Sequence, residues 1–463
     1  MTKLNRRLFL SAAGATAATG ILPRFASGTA QAANTSGYRA LVCLFFAGGL
    51  DGHDCVLPYD LSSYDQLTNI RGNYFNNYST SDSRARSNLT PLNVRNASNF
   101  GTRQFAFSPN MEGMRDLFDQ GRLAVVGNVG PLENPMNRET YLNGSVQRPP
   151  RLFSHNDQRS IWRSLEPEGA RLGWGGQIAD LMLEANANPE PAFTCISVGN
   201  TPNTFLSGNM ARAYKVGSEG VIRNLAVEST FLLFDEQKRE NLRQHLRDVS
   251  TSRQNLFERD FAATNRRAID ANGSFASAFT GGSPLNTSFP ESRLGQDLAT
   301  VANVINRRID LNVSRQIFYV GVGGFDTHSR QAIDLPRLQD KFSDAIRSFY
   351  LATEEMGIAQ DVTLFTMSDF GRGLVANGDG TDHGWGNHQY VVGGAVDGGR
   401  IIGDVPSPTL EHSQDVGRGQ LIPTTSIEQF AAPLARWFGL SGSEVNSVFP
   451  SLNRFGPEAD IFV

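Results

Sequence analysis

Short apolar runs closed by Gly or Asp recur along the chain at residues 40–46, 123–129, 192–198, 316–322, 362–367 and 390–392. Runs of this length, apolar on both alternating faces, read as central strands of a largely parallel sheet covered on both sides. Between the fourth and fifth runs the pattern changes to helical spacing, with Leu338, Phe342, Ile346, Phe349 and Met356 on one stripe. Asp334 and Pro336 are expected to open that helix and Gly357 to stop it. Strand, crossover helix and strand make a βαβ unit. Residues 110–120 repeat the scheme as a helix feeding the strand at Leu123, and residues 427–440 form an amphipathic helix expected to pack on the sheet. Residues 61–104, rich in Asn, Ser and Arg, read as an irregular surface excursion, and the polar stretch of about 230–310 reads as a helical insertion. The expected fold is therefore α/β, a doubly wound and largely parallel sheet in one domain over residues 33–463, with that insertion.

Residues 1–32 stand apart from this pattern. Arg6 and Arg7 precede a mild apolar stretch diluted by Gly14, Gly20 and alanines and ended by Pro23, with Ala30-Gln31-Ala32 as a small-residue cleavage site. This is the arrangement of a twin-arginine signal peptide, so the mature protein is expected in the periplasm or secreted, after handling by the twin-arginine export machinery. The whole chain has 42 Lys and Arg against 46 Asp and Glu, and residues 1–32 hold four of the basic residues and no acid. The mature chain thus has 38 against 46, a formal charge of −8, which argues against a nucleic-acid or anionic-membrane partner. No apolar run in the mature chain reaches transmembrane length. Cys43, Cys55 and Cys195 are too few and too widely spaced for a disulfide framework or a cysteine-rich zinc site, and Cys43 reads as a buried small hydrophobe.

The chemistry collects where strands end. Asp51 follows the first run in FFAGGLDGHD, Asp326 and His328 follow the fourth in GVGGFDTH, and Asp369 follows the fifth in FTMSDFGR. The loop TDHGWGNH adds Asp382, His383 and His388. In an open parallel sheet these loops share one rim, where ligand sites form. Acids gathered there repel one another, and a cation neutralises them. Mixed carboxylate and imidazole donors suit zinc, manganese or iron better than calcium, and the number of donors allows one or two divalent ions. Taken singly, each Asp after a strand is equally a turn or cap former.

The segments GGLDGHDCVLPYD, RLFSHNDQ, GGFDTHSRQ, SDFGRGLVANGDGTDHGWGN and IPTTSIEQFAAPLARWFGL, in this order, resemble those of the bacterial family of domain of unknown function 1501. Through that family the chain is similar, more distantly, to the alkaline phosphatase and sulfatase superfamily, whose members hold one or two metals at the strand ends of a doubly wound sheet. The resemblance implies that Asp51 is a first-strand ligand, that Asp326 and His328 form a later pair, that Asp369 is the strand-end aspartate, and that His383 or His388 is a late histidine ligand. The chain departs from the pattern in having Asp369-Phe370 where the superfamily hydrolases have Asp-His, so one ligand must come from elsewhere or one metal is missing. It also has Ala47 and Asp54 where the family more often has Arg and Asn, and Asp369 where Glu is common; Asp54 is a possible additional ligand.

A hydrolase of this kind needs a nucleophile, either a hydroxyl or a bound water. Ser154, at the start of a helix in RLFSHNDQRSIW, is the candidate hydroxyl, with plain N-capping as its competing role. His155 and Asp157 form an alternative ligand and supporting pair. Arg372 is the candidate clamp for a substrate anion. Trp385 in the Gly-rich loop is either a sugar-stacking platform or packing. Neither Cys55 nor Cys195 sits in the Cys/Ser-x-Pro-x-Arg context that sulfatases modify. Two functions follow as expectations. One is a metal-dependent hydrolase of phosphate or sulfate esters, acting on a small-molecule or polymer substrate. The other is a non-catalytic exported metal-binding scaffold that binds envelope polymers.

Overall fold

The first strand lies at the middle of the sheet, and its side chains show why the apolar runs are continuous. Ala40, Val42, Leu44 and Phe46 enter one core while Leu41, Cys43 and Phe45 enter another, so both faces are buried. The computed structural model describes residues 33–199, 203–217, 220–221, 235–248, 255–279 and 283–463. Residues 1–32, expected from the sequence to be a signal peptide, lie outside them.

In chain order the strands that matter here are β1 (Arg39–Phe46), β2 (Leu123–Gly130), β3 (Cys195–Val198), β4 (Tyr214–Gly217), β5 (Gly220–Val221), β6 (Arg315–Val322), β7 (Val362–Ser368), β8 (Arg372–Ala376), β9 (Thr381–His383), β10 (Asn387–Gly393), β11 (Arg400–Gly403) and β12 (Thr425–Ser426). All but β8 and β9 form a ten-stranded sheet in the order β11-β2-β10-β7-β1-β6-β3-β4-β5, with β12 also pairing β2. The pairs of β1 with β6 and β7 are parallel, as are β6 with β3 and β3 with β4. β10 runs antiparallel to both of its neighbours, β7 and β2, so the run at residues 390–392 is a strand but not a parallel one. β8 and β9 make a separate two-stranded ribbon beyond the end of β7.

The helices are α1 (Leu61–Phe75), α2 (Glu112–Asp119), α3 (His155–Ser164), α4 (Trp174–Glu184), α5 (Glu236–Arg247), α6 (Leu256–Phe279), α7 (Arg293–Asn306), α8 (Gln331–Glu355) and α9 (Ile427–Phe438), with a few shorter ones. α2, α7 and α8 cover one face through Met114, Leu298, Val301, Phe342 and Ile346. α3, α4 and α9 cover the other through Trp162, Trp174, Ile178, Phe430 and Leu434. The sheet is therefore doubly wound. Between β5 and β6 the described residues carry α5, α6 and α7 and no strand; α7 belongs to the core, while α6 exposes Leu256, Phe257 and Phe261 near its start.

Two expectations about local structure change. The segment read as irregular from residue 61 begins with α1, capped by the Asp60 side chain on Ser63 N at 2.9 Å. Its buried positions Ser63, Leu67, Arg71, Tyr74 and Phe75 follow helical spacing, but a serine and an arginine stand in the stripe. The helix expected to open at Asp334 begins at Gln331 and takes Pro336 into its interior, where the ring is buried. The three cysteines are buried and unpaired. No described helix is long and apolar enough to cross a membrane.

Candidate metal centre

β6 and β7 flank β1 in parallel, so the loops leaving all three strands meet at one edge. Close approach of their backbones depends on two glycines after β1. Gly48 and Gly49 have φ of +118° and +90°; a Cβ on Gly48 would lie 2.3 Å from Asp326 N, and one on Gly49 would lie 2.5 Å from the Phe370 ring. Into this junction α3 brings His155 as its first residue, and the ribbon brings His383 at the end of β9.

Asp326 is the hub. Its Oδ1 lies 3.2 Å from His328 Nε2 and 3.3 Å from His383 Nε2, and its Oδ2 lies 3.4 Å from His155 Nε2. One donor atom each of His155, Asp326 and His383 fall within 4.8 Å of one another, and His328 Nε2 lies 2.8 Å from His383 Nε2. The opposite side of each ring is backed by an oxygen. His155 Nδ1 is 2.6 Å from Asp369 Oδ2, His383 Nδ1 donates to the Phe153 carbonyl at 2.8 Å, and His328 Nδ1 faces Asp382 Oδ1 at 3.5 Å. The Phe153 carbonyl can only accept, so it holds a proton on His383 Nδ1, and the ring turns its Nε2 towards Asp326 and His328. His155 Nε2 is buried and makes no hydrogen bond. Imidazoles fixed at Nδ1 by acceptors, with Nε2 atoms converging beside a carboxylate, are the arrangement that binds a divalent transition metal.

The electrostatics agree with this fit. Burial pushes the His383 imidazole pKa below its ordinary value, favouring the neutral ligand form. Partial burial pushes the Asp326 carboxyl up, but Arg372 and the neighbouring histidines outweigh it and hold it below the usual range. Asp369 behaves alike: burial raises it, and the bonds from His155 and Arg159 bring it below its ordinary value. Asp382 is lowered chiefly by its hydrogen bond from Asn377.

The structure gathers Asp326, His328 and His383 from the sequence candidates and adds His155, which the sequence offered only as an alternative to Ser154. Asp369 and Asp382 stand behind histidines. Two expected ligands are elsewhere. Asp51 is buried and occupied by the Arg71 guanidinium at 2.8 Å and the Gln331 amide at 2.7 Å. Burial raises its carboxyl, and Arg71 more than reverses the effect. His388 is buried in β10, with Nδ1 accepting from Asn128 N at 3.1 Å, and burial drives its pKa down to about 3. Asp54 likewise meets a cation, Arg84, at 2.5 Å.

Phe370 is fully buried with its ring 4.7 Å from that of His155 and 4.4 Å from that of His383. It packs both rings in place. Arg372 is not an open anion clamp. It is buried and donates to Asp326 Oδ1 at 2.8 Å and to the carbonyls of Gly49, Phe325 and Thr381, so it pins three loops and orients the hub carboxylate. Ser154 occupies the N-cap position of α3, yet its hydroxyl makes no capping bond and donates instead to Asp157 Oδ2 at 3.0 Å. Trp385 is fully buried with its N–H on the Pro131 carbonyl, so it packs and does not face a ligand. Arg159, which the sequence reading passed over, holds Asp369 with two nitrogens at 2.8 and 3.2 Å; its position one turn after His155 on α3 was the available signal.

Among curated proteins no relative is detected. Among solved structures the chain is similar to Ps i-CgsB in complex with k-i-k-neocarrahexaose, at 10% identity over 91% of this chain and 78% of that one, with a TM-score of 0.35. It is similar to the PsFucS1 sulfatase from Pseudoalteromonas sp. at 8% identity over 79% and 64%, with a TM-score of 0.34. It is also similar to the C-terminal periplasmic domain of EcEptC from Escherichia coli in complex with Zn, at 8% identity over 78% and 74%, with a TM-score of 0.30. The family model described as protein of unknown function (DUF1501) matches residues 38–449, and the chain belongs to that family.

Proposed function

We propose that the protein is an exported, metal-dependent hydrolase of phosphate or sulfate esters. The observation that carries this reading is the set of three imidazoles, each backed at Nδ1 by an oxygen, with their Nε2 atoms gathered around the Asp326 carboxylate. Imidazole and carboxylate donors together suit zinc, manganese or iron. His155, Asp326, His328 and His383 would hold such an ion, which would supply Lewis-acid polarisation of an ester oxygen.

The chain's own groups have distinct tasks in this reading. Ser154 Oγ, next to His155, attacks phosphorus or sulfur; its proton passes to Asp157, to which it already donates at 3.0 Å. The bond from phosphorus or sulfur to the leaving oxygen breaks and that oxygen takes the proton from Asp157; water then attacks the serine ester, the Ser154 oxygen leaves and regains a proton from that water through Asp157, and free phosphate or sulfate departs. Arg372 keeps Asp326 ionised and oriented, and Asp369 keeps the His155 proton on Nδ1. Export rests on the twin-arginine pattern at Arg6 and Arg7 and the cleavage site at Ala30-Gln31-Ala32.

The test is metal content by mass spectrometry on folded, signal-cleaved protein beside an Asp326→Ala/His155→Ala variant. Both are assayed on p-nitrophenyl phosphate, bis(p-nitrophenyl) phosphate and p-nitrophenyl sulfate. The expected result is stoichiometric metal and turnover of at least one ester, both lost in a variant whose circular dichroism is unchanged. Metal without turnover supports the non-catalytic scaffold. Wild-type protein that takes up no metal overturns the reading.

A further inference from the structure

Three arginines around the centre hold backbone conformations that arginine rarely takes. Arg151, Arg330 and Arg418 have φ of +48°, +55° and +56°, in the left-handed region where Gly or Asn sits at less cost. Each side chain is largely exposed, at 72%, 62% and 58%. Each is also tied by sequence or contact to a residue of the centre. The Arg151 carbonyl accepts from Ser154 N, Arg330 follows His328 by two residues, and Arg418 lies 3.6 Å from Asp382, which backs His328. A fourth, Arg159, shares Asp369 Oδ2 with His155 and has its side chain 34% exposed. Strained backbone of this kind clusters at active and ligand-binding sites.

We propose that these four arginines form the binding rim for an extended anionic polymer, one carrying several pendant sulfate or phosphate groups, whose central group sits at the metal centre. This rests on the reading of that centre as the place of reaction. Arg151 and Arg159 belong to the segment that carries His155, and Arg330 and Arg418 stand by His328 and Asp382, so the four charges come to the centre from separate segments. The centre itself is open: the Asp326 and His328 side chains are 47% and 45% exposed, whereas small-molecule sites enclose most of their ligand. The Arg330–Asp334 and Arg418–Asp382 pairs, at 3.4 and 3.6 Å, are exposed on both sides and weak enough to yield to a ligand anion, while Arg151 stands 3.7 Å from the buried Asp157 with its own side chain in solvent. Four arginines on a mature chain of net charge −8 are not the broad basic face that duplex nucleic acid requires.

The test compares wild type with an Arg151→Asn/Arg330→Asn/Arg418→Asn variant, in which Asn tolerates the left-handed backbone and removes the charge. Binding of fluorescent dextran sulfate, neutral dextran and duplex DNA is measured at two salt concentrations, along with metal content and melting temperature. Wild type is expected to bind dextran sulfate in preference to the other two. The variant is expected to bind it at least tenfold more weakly and with a shallower salt dependence, at unchanged metal content and an equal or higher melting temperature. Equal binding by variant and wild type overturns the proposal, and so does wild-type binding of DNA or neutral dextran as tight as that of dextran sulfate. Selective, arginine-dependent binding by a protein that hydrolyses no ester supports the rim while removing the hydrolase reading.

Discussion

The Nδ1 atom of His155 lies 2.6 Å from the carboxylate of Asp369, joining the first turn of α3 to the end of β7 across 214 positions of sequence. Asp369 thereby meets the His155 ring on the side opposite the nitrogen that faces Asp326. Asp369→Asn, which keeps the shape and removes the charge, is expected to weaken metal binding about 10- to 100-fold, by the usual effect of losing such a supporting group. A competition titration against a chromogenic chelator reads this directly; unchanged affinity would mean that Asp369 does not support the His155 ring.

Phe370 fixes two rings by packing alone. Since it is fully buried, Phe370→Ala is expected to cost about 3–5 kcal/mol of folding stability in urea denaturation. It should also lower metal affinity, because the faces of His155 and His383 lose their support. Phe370→Leu should recover most of the stability and less of the affinity.

Arg71 neutralises Asp51 inside the protein, where neither side chain reaches solvent. Arg71→Met leaves a buried carboxylate without its cation and is expected to destabilise by about 3–5 kcal/mol. Arg71→Met with Asp51→Asn should recover part of the loss. Metal stoichiometry in the double variant should match wild type, which separates this pair from the centre; loss of metal there would return Asp51 to the ligand set.

Acid should destabilise the fold through His388. Burial lowers its folded pKa to about 3, below the ordinary unfolded value of about 6.5. Its contribution is therefore fully present above the unfolded value and is lost as the pH falls from there towards the folded one, at about 1.4 kcal/mol per pH unit. His388→Asn, which keeps an acceptor near Asn128 N, should flatten urea stability between pH 6.5 and 4.5 when measured with chelator present. An unchanged slope would show that His388 is not the group that takes up the proton.

The sheet was legible because strands buried on both faces must be apolar throughout, and β1, β2, β6 and β7 stand where the apolar runs placed them. The acids at the ends of β1, β6 and β7 were legible for the same reason. Which of them stays available to a metal was not. That depends on where a cation from another segment docks, and Arg71 and Arg84 reach Asp51 and Asp54 from a stretch that reads as irregular. α1 was hidden because the arginine serving this purpose interrupts its apolar stripe. His388 and His383, five residues apart, part company because β10 carries the first into the core while β9 ends at the second. A preference for capping obscured Ser154 and His155, since only the fold shows Asp157 drawing the hydroxyl away from the helix end.

The position of β1 has a consequence for the order of assembly. This strand, formed by residues 39–46, has its two neighbours in residues 315–322 and 362–368. A ribosome therefore releases the middle of the sheet long before it releases either flanking strand, and contacts of such sequence separation form slowly. During synthesis the stretch LVCLFF has no native partner on either side, and a chaperone that binds bare strands would meet it first. Truncations ending before residue 362 should accordingly be recovered as aggregates or in chaperone-bound form, even though most of the chain is already made.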